Sequence, residues 1–190
     1  MIAREEAALD AALADTFPAS DPPSQTVPVA ATGPEHGPAD HWLDLFRVLP
    51  RAEAGQAFGP QPSYSARRWS SAGTPVVYAS LSVGGALLEA LAHMEGPVPD
   101  DLVLAVASLP VGCVQTVRDL PKHWSDYPYR EDVQHFGDRW LASQQALALK
   151  VPSAICDREF NVVLNPRHRN RERLHGTALT PLKVDPRVRE

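Results

Sequence analysis

Cysteine is scarce in this chain: there are two, Cys113 and Cys156, far apart in sequence. Neither sits in a CxxC or Cys/His pattern, so no zinc site is implied, and the low count fits a reducing compartment. No apolar run approaches the roughly 20 residues needed to cross a bilayer. The amino terminus has no positive stretch followed by an apolar one, so no secretory signal is expected and the cytoplasm is the expected location. There is no GxGxxG, no Walker sequence and no Gly-x-Ser-x-Gly elbow. A Rossmann domain, a P-loop and a hydrolase nucleophile on such an elbow are therefore excluded. The seven histidines show no metal-ligand spacing, and His93, His168 and His175 read as surface or satisfied polar residues. Internal repeats are absent. Positive charge is also short: 18 Lys and Arg stand against 23 Asp and Glu, a net charge of −5 with a pI of about 5.8. Nothing marks the whole chain as a nucleic-acid binder. The basic segment from Arg167 to Arg173 is local; it reads as a solvated loop, or as a patch that meets pyrophosphate or an acidic partner.

Proline, by contrast, is plentiful at 19 residues. Many of them fall in residues 1–40, around Pro18-Ala19-Ser20-Asp21-Pro22-Pro23. Such density removes backbone donors and favours extended, solvated chain. An N-terminal arm over 1–40 is expected, with one domain over 41–190. The acidic, proline-bounded part of that arm, Asp15 to Asp21, is a candidate for docking on a basic surface.

Within the domain, Leu43 to Leu49 reads as a first apolar element and Gly55 to Ser65 as a loop. Pro75 to Ser80 reads as a short strand. Ser82 is a plausible N-cap for a helix running to about Met94. Leu102 to Leu109 is apolar at nearly every position, which suits a strand covered on both faces. Cys113 to Val117 is expected to be its hairpin or sheet neighbour. Glu131 to about Gln145 reads as a helix, Leu147 to Ser153 and Phe160 to Leu164 as buried strands, and Leu179 to Val184 as the last strand. Strands and helices intermingle without a βαβ repeat, so the expected fold class is α+β: a mixed, bent β-sheet with packed helices.

On the helix from Ser82 to Met94, Leu87, Leu91 and Met94 share one face at 100° per residue, with Leu88 at its border. Glu89 points elsewhere, near His93 at i+4. It is a solvated surface glutamate, or, if that face lines a cleft, a carboxylate able to bind a ribose hydroxyl and stabilise a cationic transition state. Arg68, before Trp69, stacks on an aromatic surface or offers a planar fork to phosphate and ribose oxygens. Tyr78 is a core tyrosine with a satisfied hydroxyl, or a ring presented to a flat heteroaromatic. Ser153 caps a strand end.

These pieces, in order, resemble the RES-domain toxins, named for arginine, glutamate and serine. The matching stretches are Phe46-Arg47-Val48, Arg68-Trp69-Ser70-Ser71-Ala72-Gly73-Thr74-Pro75-Val76-Val77-Tyr78, Ala86-Leu87-Leu88-Glu89, Gly137-Asp138-Arg139-Trp140-Leu141, Val151-Pro152-Ser153-Ala154, and Phe160-Asn161-Val162-Val163-Leu164-Asn165-Pro166. The resemblance implies a fold similar to the ADP-ribosyltransferase catalytic core, with NAD as a consumed substrate whose nicotinamide–ribose bond is broken and no metal. It implies that Arg68, Tyr78 and Glu89 are catalytic and that Arg47, Ser153 and Asn165 bind the dinucleotide. Arg47 and Arg68 would grip it, Tyr78 would stack near nicotinamide, and Asn165 belongs to a late Asn-Pro motif. It also implies a toxin–antitoxin pair whose helix-turn-helix antitoxin makes any DNA contact. Water, phosphate or a side chain of a target protein are all open as acceptor of ADP-ribose.

Two departures stand out. Where the family is Gly-rich before the Arg-Trp pair, this chain has Tyr64-Ser65-Ala66-Arg67, and the usual asparagine after Trp is Ser70. Arg67 therefore competes with Arg68 for the catalytic role. A different class of function also stands open, a catalytically silent module on the same fold that contacts an antitoxin.

Overall fold

A computed structural model describes residues 41–60 and 65–188 of the chain. The arm expected over 1–40 lies outside the described residues, as do residues 61–64 of the expected loop. Seven strands form one mixed sheet: β1 (Trp42–Pro50), β2 (Val77–Ser80), β3 (Leu102–Pro110), β4 (Val114–Thr116), β5 (Ala148–Pro152), β6 (Phe160–Leu164) and β7 (His175–Pro181), in the order β4-β5-β6-β2-β1-β3-β7. Two helices, α1 (Val83–His93) and α2 (Glu131–Ser143), accompany it. All the pairings are antiparallel except that of β4 with β5. The α+β class read from the sequence is the fold observed.

Alternating side chains divide the sheet's contacts between its two faces. Leu45 and Leu49 of β1, Val103, Ala105, Ala107 and Leu109 of β3, and Val162 and Leu164 of β6 join one buried cluster. The other face meets the helices. Val133, Trp140 and Leu141 of α2 pack with Leu149, Val151 and Val163. Ala86 and Leu87 of α1 pack with Val48, Leu102 and Leu104. The apolar run of β3 is thus covered on both sides, as its composition implies. Ser82 caps α1 as expected, its hydroxyl accepting from the Gly85 amide at 2.9 Å.

Three readings of the sequence need correction. Cys113 to Val117 is not a neighbour of β3. The short 3-10 turn Val111–Cys113 leads the chain away, and β4 pairs in parallel with β5 at the far end of the sheet. The last strand is His175–Pro181, not Leu179 to Val184. It is an exposed edge strand, so its polar start carries no apolar signal. Beyond Pro181 the chain leaves the ladder, and Val184 is buried with the α1 cluster instead. The start of the expected loop at Gly55 belongs to a 3-10 helix, Arg51–Gln56.

Two features position the site. First, β1 and β2 share a single registered pair, Phe46 with Ser80, whereas β1 and β3 are in register along their whole length. The continuation that would match Val48 with Tyr78 is not made, so the strands diverge there. Second, α2 lies directly against the segment after Arg68. A Cβ on Gly137 would fall 1.9 Å from the Trp69 carbonyl oxygen. The next residue, Asp138, accepts from the Ser71 amide at 3.1 Å, the Ser71 hydroxyl at 2.5 Å and the Thr74 hydroxyl at 3.1 Å. Helix and loop are locked together at this point.

Alanine at a helical position normally gains about 1 kcal/mol over glycine. At Gly137 the overlap with rigid backbone outweighs that gain, at a cost of about 1–3 kcal/mol. Gly137→Ala is therefore expected to lower the melting temperature by about 5 °C, at ~2–4 °C per kcal/mol for a domain of this size. A rise in thermal unfolding temperature would contradict the close approach.

Candidate active site

Where β1 and β2 diverge, a cleft of about 980 Å3 opens, within the upper range of small-molecule sites. Arg47 and Tyr78 come to it from the two strands, Arg67 and Arg68 from the loop before β2, and Glu89 and His93 from α1. Tyr127 and Tyr129 line it from the segment preceding α2.

Glu89 reaches the cleft because the helix face it shares carries small residues. Gly85 and Ala86, one turn earlier, are buried, so α1 lies close against the sheet. One carboxylate oxygen, Oε1, accepts from Asn161 Nδ2 at 2.6 Å and from Ser153 Oγ at 3.0 Å. The other, Oε2, lies 3.7 Å from His93 Nε2. Both donors are themselves fixed. Asn161 Oδ1 accepts from the Ser80 hydroxyl at 2.7 Å. Ser153 Oγ accepts from the Ile155 amide at 3.1 Å and the Cys156 amide at 3.3 Å. The result is a preorganised carboxylate whose second oxygen stays turned toward the cleft. This arrangement favours a developing positive charge.

Tyr78 is partly buried, and its hydroxyl is within 2.9 Å of Ser70 Oγ. Burial, opposed by the bonds from Ser70 and Trp69, pushes the phenol well above its ordinary range, so it stays neutral. Arg47 donates to the Ala57 carbonyl, and burial lowers its pKa; Glu53 opposes that shift and Arg67 adds to it. Arg68 is tied to the chain elsewhere: its Nη1 donates to the Trp124 carbonyl at 2.7 Å and the Asp126 carbonyl at 2.9 Å. Its guanidinium also lies 5.1 Å from the centre of the Tyr129 ring. Trp124 in turn stacks on Trp69 at 5.9 Å.

The structure thus brings Arg47, Arg68, Tyr78 and Glu89 to one cleft, with Ser153 behind Glu89. It does not bring Asn165 there. That buried amide donates to the Leu141 carbonyl at 2.9 Å and accepts from the Arg167 amide at 3.1 Å, tying the end of α2 to the end of β6. Asn161 was not singled out from the sequence. Its signal was a lone polar residue inside the apolar strand Phe160–Leu164, on the same face as Val163. His93, read as a surface or satisfied polar residue, lines the cleft beside Glu89. Among the described residues, no group of His, Cys, Asp and Glu is placed to hold a metal ion, and no helix is long and apolar enough to cross a membrane.

The model of the RES domain matches residues 44–185, which holds every residue of the cleft. The chain belongs to the RES-domain family. A relative in Pseudomonas putida, named Toxin Res, is 41% identical over 129 residues, 65% of this chain and 85% of its own length. The Prs ADP-ribosylating toxin of a Sphingobium species is 31% identical over 148 residues, 72% of this chain and 88% of its own. Among solved structures, a chain of the MbcT–MbcA toxin–antitoxin complex of M. tuberculosis superposes with a TM-score of 0.48 at 12% identity, covering 75% of this RES chain and 86% of that one.

His93 supplies a local probe of the electrostatics. Burial is the largest cause lowering its pKa below 6.5; Arg67 and Arg68 lower it further, and Glu89 raises it. A histidine held neutral in this way favours the folded state fully above about pH 6.5. That stability is lost as pH falls below 6.5 toward the lowered folded value. An NMR titration of His93 should give a midpoint below 6.5, and Glu89→Gln should move it lower still. A midpoint that rises in Glu89→Gln would mean that the carboxylate does not face His93.

Proposed function

We propose that this RES-domain chain is the toxin of a toxin–antitoxin pair and that it acts by breaking the nicotinamide–ribose bond of NAD. The observation that carries the reading is Glu89, a carboxylate held by Asn161 and Ser153 and facing a cleft whose other walls bear Arg47, Arg67 and Arg68. Opposed anionic and cationic walls suit a substrate that is cationic at one end and carries phosphates in its middle.

The chemistry follows from those charges. As the bond from ribose C1′ to the nicotinamide nitrogen breaks, its electron pair leaves with nicotinamide, which needs no acid to depart. The ribose is left with oxocarbenium character, as in glycoside cleavage. Glu89 stabilises that positive charge and accepts from a ribose hydroxyl, while the arginines hold the phosphates still. Tyr78, neutral and fixed by Ser70, offers its ring to nicotinamide. An acceptor then bonds to C1′ and gives up its proton. The relative named as an ADP-ribosylating toxin favours a protein side chain over water or phosphate as that acceptor. Ser153 and Asn161 act through Glu89, as positioning residues. In this reading the partner is an antitoxin, and any helix-turn-helix contact with DNA belongs to it.

Glu89→Gln preserves size and the capacity to accept from Asn161, but removes the charge. Nicotinamide release from NAD by the pure protein should fall about 100-fold or more, the usual cost of one preorganised electrostatic contact. The melting temperature should stay near that of wild type. Equal release by the variant would remove Glu89 from the mechanism. No release by the wild type, with NAD alone or with phosphate or host lysate added, would make the chain a silent binding module.

A further inference from the structure

Two adjacent arginines face the cleft, and the structure gives them different work. Arg68 donates to two backbone carbonyls and lies against Tyr129, so it fastens the segment 124–129 to the loop before β2. Arg67 does none of this. Its backbone is pinned by a reciprocal pair with Ser70, the Arg67 amide donating to the Ser70 carbonyl at 2.8 Å and the Ser70 amide donating back at 3.4 Å. Its guanidinium makes no hydrogen bond or ion pair among the described residues. It lines the cleft together with Arg47 of β1, Tyr78 of β2, His93 of α1 and Tyr129 of the segment before α2.

Arg47 is partly buried; its charge is disfavoured by burial and by Arg67, and Glu53 is its opposing acid. Two other carboxylates line the cleft: Glu95, and Glu89, whose Oε1 is taken by Asn161 and Ser153 while Oε2 lies 3.7 Å from His93. Arg47 and Arg67 line the same cleft, and like charges so placed repel each other; an anion between them relieves that repulsion. A planar guanidinium with free donors is suited to phosphate oxygens.

We propose that Arg67, with Arg47 beside it, forms the anion subsite of the cleft and takes the diphosphate group of the substrate, and that Arg68 is a positioning residue that holds the tyrosine-bearing segment in place. The choice of a diphosphate rests on the NAD reading above; the anion subsite itself does not. This division of labour reverses the roles that position in the Arg-Trp motif suggests.

The test is a calorimetric titration of the full chain with ADP-ribose, inorganic pyrophosphate and uncharged adenosine. Wild type should bind the first two, and Arg67→Gln should weaken both by about tenfold or more, the usual worth of a charged hydrogen bond. Adenosine binding should not change, and Arg67→Lys should recover part of the loss. Arg68→Gln should instead alter Trp124 fluorescence and lower the melting temperature, with a smaller loss of pyrophosphate affinity. An internal control for side-chain placement needs no ligand: Arg67→Gln should raise the His93 midpoint, because Arg67 lowers it. Unchanged pyrophosphate affinity in Arg67→Gln would overturn the proposal, and so would a folded Arg68→Gln that loses more affinity than Arg67→Gln. If pyrophosphate binds through Arg67 while the wild type releases no nicotinamide from NAD, the anion subsite stands and the NAD-cleavage reading falls.

Discussion

The interrupted pairing of β1 with β2 is the constraint on which the rest of the site depends. A sheet whose central strands stayed in register would bury Val48 against Tyr78 and leave no space between them. With one pair, Phe46 to Ser80, the strands stay joined at a point and part beyond it. Residues of both strands line the cleft that opens there. The full register of β1 with β3 and of β2 with β6 holds each side of the gap. A binding cleft at the sheet's centre can thus be both open and rigid.

The cleft's polar groups are held by residues that do not enter it. Gly137 lets α2 reach the Trp69 backbone, and Asp138 ties Ser71 and Thr74 to that helix. The loop so fixed presents Ser70 to Tyr78 and orients Arg67 and Arg68. On the other side, Ser80 orients Asn161, which with Ser153 holds Glu89. A satisfied network of this kind loses little by reorganising when charge develops in front of it. Arg67 stands apart because its guanidinium is held by none of these contacts.

Much of the local structure was legible in the sequence. The Ser82 cap, the span of α1 and the two-sided burial of β3 each follow from a short-range pattern. The remainder depends on contacts distant in sequence. The place of β4 was hidden because pairing in parallel with β5 leaves no local turn signature. The start of β7 was hidden because an exposed edge strand needs no apolar residues. In the site, motif order pointed to Arg47, Arg68, Tyr78 and Glu89, and the structure places all four around one cleft. The inward face of α1 was harder to see, since its buried residues are Gly85 and Ala86 and the large apolar side chains lie to one side. Whether Arg67 or Arg68 is bound to the protein itself depends on carbonyls more than fifty residues away, at Trp124 and Asp126. No pattern in the Arg-Arg-Trp segment encodes that.

The central claim is that Glu89 and the arginines divide one dinucleotide between them, the ribose bearing nicotinamide against the carboxylate and the phosphates against the guanidinium groups. The most direct measurement is a crystal structure of Glu89→Gln soaked with intact NAD. The account predicts the nicotinamide ribose within hydrogen-bond distance of residue 89, the nicotinamide ring against Tyr78, and the diphosphate against Arg67 and Arg47. NAD bound in the opposite sense, with adenine at residue 89, or bound away from the gap between β1 and β2, would contradict it.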